Sequence, residues 1–210
     1  MFYDPRIDPR PAPLQFNPVN ALVAPRPIGW IGTLSAAGET NLAPFSYFNA
    51  FSADPPVVGF APNAKVAPDQ AKDTLANVRE VAEFTVSVVS AELAQAMNET
   101  SRPVPRGVDE FALAGLTAAP SRHVRPPHVG EAKAVLECTV AQVIALPSRP
   151  GGRASHLVIG EVVGIHIDES VIREGRVDLR LLRPVSRLGY LDYSIVDSLF
   201  EMPRPDGDGG

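Results

Sequence analysis

The chain has 210 residues, 45% of them hydrophobic and 20% charged, enough to bury one substantial core and in keeping with the usual size of a single domain. Nineteen basic against 24 acidic residues leave a formal charge of −5 with no basic block, so the long-range field repels a phosphate polymer and speaks against a nucleic-acid partner. No stretch approaches the roughly 18 apolar residues of a membrane span, and the N-terminus lacks a basic segment followed by an apolar run, so a soluble, cytoplasmic protein without membrane contact is expected. Cys138 is the one cysteine, which excludes an internal disulfide and a cysteine-rich metal or iron–sulfur site.

A single domain is expected over residues 1–202. Residues 1–27 are proline-rich and read as an irregular N-terminal wrap, because proline fixes φ and removes a donor. Ile28 to Leu34 and Thr40 to Ala43, separated by Ser35-Ala36-Ala37-Gly38-Glu39, read as a hairpin. Val57 to Ala61 lies between Asp54-Pro55-Pro56 and Pro62-Asn63 and reads as a buried strand. Residues 73–81 suit a helix capped by Asp73, with Leu75, Val78 and Val81 near one face. Phe84 to Val88 alternates with period two, and Ser90 is placed to cap a helix through Leu93 and Met97.

Residues 101–127 hold five prolines and two glycines and read as a long excursion over a site or an interface, anchored by Phe111-Ala112-Leu113. Residues 134–146 and 156–167 are two long strands joined around Gly151-Gly152; Leu136, Cys138 and Val140 share one face, Glu137 and Thr139 the other. Residues 203–210 lack apolar side chains and read as a disordered tail. Strands in hairpins rather than in β-helix-β alternation imply a mostly antiparallel barrel with helical insertions.

Chemistry-bearing residues crowd into Asn41-Leu42-Ala43-Pro44-Phe45-Ser46-Tyr47-Phe48-Asn49. Such a bend can present Asn41, Ser46, Asn49 and free backbone N–H groups to a ring system or phosphate, with Phe45, Tyr47 and Phe48 as apolar walls. The same residues also suit a barrel corner that satisfies its own turn. Lys72-Asp73-Thr74 opens a helix, where unpaired N–H groups, the dipole, a lysine and a hydroxyl could seat a phosphate, as well as being an ordinary capped helix. No Gly-x-Gly-x-x-Gly, P-loop or Gly-x-Ser-x-Gly occurs, which removes the Rossmann, P-loop and nucleophile-elbow readings. The spacing of His123, His128, His156 and His166 argues against a metal. His156 starts a strand on the nominal face of Gly160 and Gly164, as a group beside a bound ring or as a strand-end histidine near solvent.

Arg26-Pro27-Ile28-Gly29-Trp30-Ile31-Gly32-Thr33, Gly38-Glu39-Thr40 through Phe48 with Asp54-Pro55-Pro56, Lys72-Asp73-Thr74-Leu75-Ala76-Asn77, and His156-Leu157-Val158-Ile159-Gly160-Glu161-Val162 together resemble the flavin reductase-like, FMN-binding split-barrel family. Arg187-Leu188-Gly189-Tyr190 and Tyr193 resemble its C-terminal signature, so the likeness spans about residues 20–195. The resemblance implies a mainly β, antiparallel, Greek-key-type split β-barrel with helical insertions. It also implies a homodimer with FMN as cofactor, contacted by Thr33, Leu34 and Ser35, by Asn41, by Pro44, Phe45, Ser46, Tyr47, Phe48 and Asn49, and by Lys72, Asp73, Thr74 and Asn77. His156 would then act near the flavin and nicotinamide rings, with NADH or NADPH as reductant and a monooxygenase as partner. The other readings are a flavoredoxin-like electron carrier or ferric reductase with tightly held FMN, and a non-catalytic flavin-binding homodimer. The long 101–127 loop and C-terminus exceed the compact members and leave the substrate open.

Overall fold

A computed structural model describes residues 1–62, 73–148, 154–203 and 205. Seven strands form one antiparallel sheet: β1 (Gly29–Leu34), β2 (Thr40–Phe45), β3 (Phe48–Ala53), β4 (Pro56–Phe60), β5 (Glu83–Val88), β6 (Ala134–Leu146) and β7 (Ser155–Ile167). Their order across the sheet is β2-β1-β5-β6-β7-β4-β3. The two edge strands, β2 and β3, are thus consecutive in the chain, with only Ser46 and Tyr47 between them. Three residue steps reach about 10 Å, so the sheet must curl until its edges nearly meet. No ladder joins those edges among the described residues, and the barrel stays split along one seam.

The hairpin expected from residues 28–43 is β1 and β2, in register from Gly29↔Phe45 to Leu34↔Thr40. Its turn closes through Ser35 N–H donating to Glu39 C=O at 2.9 Å, with Gly38 at φ +86, where a Cβ would be strained. The long ribbon is β6 and β7, while the Gly151-Gly152 junction lies outside the described residues. Most of residues 203–210 lies outside them too.

Inside the barrel Ile31, Phe45, Val58, Phe60, Phe84, Val86, Cys138, Val158 and Val162 pack together, joined by Leu75 and Val78 of helix α1 (Asp73–Glu80). The three-residue spacing of Leu75, Val78 and Val81 buries all three, as one helical face should. Outside the barrel wall a second core unites Ile28, Trp30 and Leu42 with Met97 of α2 (Ala94–Glu99) and Phe111 of α3 (Glu110–Leu113).

Several local expectations are corrected by this double layering. Although the segment alternates with period two, Phe84 to Ser87 of β5 are all buried, because a central strand is covered on both faces. Its outward hydroxyls are satisfied by the covering loop: Thr85 Oγ1 donates to Pro127 C=O at 2.8 Å and Ser87 Oγ accepts Val129 N–H at 3.1 Å. Ser90 makes no side-chain cap; a 3₁₀ turn, Ala91–Leu93, leads into α2 instead. Asp73 lies within the helix rather than beyond its end as a cap, and the residues just before it lie outside the described residues. In β7 the register slips between Val162 and Gly164, and such a bulge reverses the facing of every later residue. Gly160 therefore packs on the Phe84 ring inside the barrel, whereas Gly164 packs on Glu137 and His123 outside it. The room expected beside His156 at Gly160 is filled by Phe84.

Candidate functional site

Where β1, β2 and α1 meet, four buried polar side chains converge. The Asn41 amide donates to Thr33 Oγ1 at 3.3 Å and to Thr74 Oγ1 at 3.0 Å, and the Asn77 amide donates to Thr33 Oγ1 at 3.1 Å. Each arrives for a local reason. Thr33 and Asn41 are cross-strand partners in the hairpin, and Thr74 and Asn77 lie three apart on the α1 face that covers it. Asn77 Oδ1 is buried with no partner among the described residues, an arrangement that costs about 1–3 kcal/mol unless a ligand or water fills it.

The cluster opens on a cleft of about 160 Å³ floored by Asn41, Ala43, Pro44, Asp73 and Thr74 and walled by residues 100–104. A narrower recess beside it is bounded by Ser35, Asn41, Asp73 and Asn77 and by residues 105–108. The 101–127 excursion thus supplies the far wall. Glu110 stands in the wall of both spaces, only 7% exposed, accepting Leu42 N–H at 3.1 Å. Burial, aided by Asp73 and Asp109, pushes its carboxyl above the usual range against the opposing pull of the Leu42 and Glu110 N–H groups. Sequence reasoning missed Glu110; the available signal was Asp109, which caps the α3 turn by accepting Phe111 N–H at 3.0 Å, next to the Phe111 anchor.

The remaining candidates do not all join this cluster. Ser46, Tyr47, Phe48 and Asn49 line a separate groove of about 330 Å³ with Val23, Pro27 and Leu157. Tyr47 is tied to the N-terminal segment, its hydroxyl donating to Asn20 Oδ1 at 2.7 Å. The Phe45 ring is in the barrel core, 5.3 Å from the Phe60 ring, so it is no wall for a ligand. Leu34 is half-buried at the end of β1, and Lys72 lies outside the described residues. His156 lines neither the cleft nor the groove. Its Nδ1 is buried without a partner among the described residues, and burial, then Arg79, lowers its pKa.

Three of the four histidines do meet, on the outer face of β6 and β7. Glu137, fully buried, accepts Arg122 N–H at 2.8 Å and His123 N–H at 2.6 Å and pairs with His166 Nε2. The His128 ring lies 4.9 Å from that of His166. Among the described residues no group of histidine, cysteine and carboxylate side chains is arranged to hold a metal ion.

The family model for the flavin reductase like domain matches residues 23–190. An uncharacterized protein of Halalkalibacterium halodurans is 39% identical over 184 residues, 87% of this chain and 87% of that protein. Among solved structures, nitrilotriacetate monooxygenase component B from Bacillus cereus is similar with a TM-score of 0.83 and 31% identity, over 92% of this chain and 100% of its own. The 2-nitrobenzoate 2-nitroreductase NbaA from Pseudomonas fluorescens is similar with a TM-score of 0.77 and 28% identity, over 89% of this chain and 88% of its own.

Proposed function

The chain belongs to the flavin reductase-like family, and from that premise we propose that it is an FMN-binding oxidoreductase that reduces flavin with NADH or NADPH. One observation carries the reading: the buried cluster of Thr33, Asn41, Thr74 and Asn77 opens through Asn41 and Thr74 on the cleft, and Asn77, which borders the adjoining recess, keeps its Oδ1 without a partner among the described residues. The residues fit the cofactor. A ribityl hydroxyl is the donor that Asn77 Oδ1 lacks, and the first turn of α1 offers N–H groups and a positive dipole to a phosphate.

Bound flavin supplies the hydride-accepting ring, and the protein's share is to hold, orient and screen it. In this reading Asn41, Thr74 and Asn77 hold the ribityl end, with Lys72 beside Asp73 as the phosphate's counter-charge. Ser35, Pro44 and the 101–104 wall exclude water. Ser46 to Asn49, on the groove across the seam, take the ring side, and His156 is the group beside the nicotinamide. The cleft of about 160 Å³ is smaller than the roughly 300 Å³ at which ligand pockets begin. Part of a bound flavin would therefore protrude, and a second copy of the chain would cover it. A monooxygenase partner, by analogy with the Bacillus cereus component B, and a cytoplasmic setting complete the reading.

The test is anaerobic NADH and NADPH oxidation against increasing free FMN, beside dialysis of the bound flavin. At a Kd of about 1 μM, ordinary association rates of about 10⁵–10⁷ M⁻¹s⁻¹ let FMN leave at about 0.1–10 s⁻¹, which suits turnover with flavin as substrate. Saturable dependence on free FMN is expected. Yellow protein that survives dialysis and ignores added FMN would replace this reading with that of an electron carrier.

A further inference from the structure

Glu110 is a carboxyl that the binding scheme above does not use. It sits in the wall shared by the cleft and the recess, beside Asn41 and Asp73, almost wholly out of contact with water. The Leu42 N–H that it accepts holds the 101–127 excursion to the outer edge of β2. Among the described residues the charges around it are mostly of its own sign. Asp73 faces it from α1 and Asp109 from its own turn, and Glu39 borders the same recess from the hairpin. Against these stand Arg106 on the recess rim and Arg102 on the cleft rim, the latter already paired with Glu99 at 2.6 Å. An anion entering here would add one more negative charge in a poorly solvated wall, where like charges favour the neutral form of a carboxyl.

We propose that Glu110 makes occupation of this site proton-linked: a phosphate-bearing anion seated against Asn41, Asp73 and Thr74 binds together with one proton, taken from solvent and carried on Glu110. The proposal rests on the flavin reading for the identity of the anion, but the burial and the acidic surroundings of Glu110 belong to the protein itself. Its direction agrees with a carboxyl that burial holds above its usual range.

The probe is FMN, titrated by flavin fluorescence from about pH 5 to about pH 9 against the wild-type chain and Glu110→Gln. Glutamine keeps an oxygen for the Leu42 N–H but carries no ionisable proton. In the wild type the Kd should rise with pH by up to about tenfold per pH unit once Glu110 ionises in the free protein. In Glu110→Gln this part of the slope should vanish, while ionisation of the FMN phosphate is common to both proteins and cancels in the comparison. The second readout needs no flavin. Unfolded Glu110 titrates near the ordinary glutamate value of 4.5 and folded Glu110 higher, so ionisation costs the folded state. Wild-type thermal stability should therefore fall, relative to Glu110→Gln, as pH rises from about 4.5 through the folded value. Parallel pH curves for the two proteins in both readouts would overturn the proposal and leave the flavin reading standing. FMN binding by neither protein at any pH would overturn both.

Discussion

Glu137 illustrates how a single charged residue is made tolerable inside a wall. Burial works to raise its carboxyl, but the N–H groups of Arg122 and His123 and the pairing with His166 outweigh it and bring it down to about 2. Three strong partners on one carboxylate tie the loop at residues 122–123 to the middle of β6. A group whose folded pKa is depressed contributes stability above its unfolded value and loses it as pH falls through the folded one. For Glu137 that window runs from 4.5 down to about 2. Glu137→Gln should cost about 3 kcal/mol near pH 7 in urea denaturation, and the deficit should shrink as pH falls across that window. A deficit that is the same at both ends would show that the carboxylate charge is not what pins the loop. The residue's outward facing was legible in the alternation of β6. Its burial was not, because the covering loop comes from more than ten residues away in the chain.

At the scale of elements, β7 shows what alternation can and cannot convey. Both long strands appear within a residue of their expected limits, since thirteen residues of consistent pattern outweigh local noise. The bulge after Val162 left no mark in the pattern, because an extra residue in a strand is specified by what packs around it. Gly160 is one such point: a Cβ there would come within 2.5 Å of the Phe84 ring. Gly160→Ala should therefore destabilise the barrel by about 1–3 kcal/mol, measured by chemical denaturation. In a double-mutant cycle, Phe84→Leu should relieve part of that cost. Full additivity of the two changes would mean that the glycine is required for some reason other than the ring. The 101–127 excursion is the opposite case, an irregular segment with a legible anchor at Phe111 whose role as a wall of the cleft depended on where β2 and α1 stood.

For the whole molecule, the unusual quantity is apolar surface. Leu191 is 84% exposed, Phe200 82% and Met202 79%. A groove of about 520 Å³ lies between α2 and the strand Tyr193–Ile195, beside Leu191. Leu191, exposed at the edge of this groove, is the kind of apolar surface that marks an interface. With the undersized cleft it supports the homodimer in the proposed function. Sedimentation at micromolar concentration should give twice the 22.4 kDa chain mass. Leu191→Glu should raise the dissociation constant by about tenfold or more, the effect of forfeiting about 1.5–3 kcal/mol of leucine burial. A wild-type monomer that still binds FMN would remove the dimer from the reading, and an unaffected Leu191→Glu dimer would move the interface elsewhere.

The residues by themselves determined the strand hairpins, the α1 face and the buried Cys138, because those follow from short-range periodicity, whereas Thr33, Asn41, Thr74 and Asn77 were named together only by what the family resemblance implies. Tertiary structure alone decided that Ser46 to Asn49 line a different groove, that Phe45 turns into the core, that Glu110 completes the cleft and that Glu137 gathers three histidines about it. Each of these depends on which face of a strand is covered and by what. That is settled only when a seven-stranded sheet curls until β2 and β3 meet across two residues, since burial belongs to the closed barrel and not to any segment of the chain.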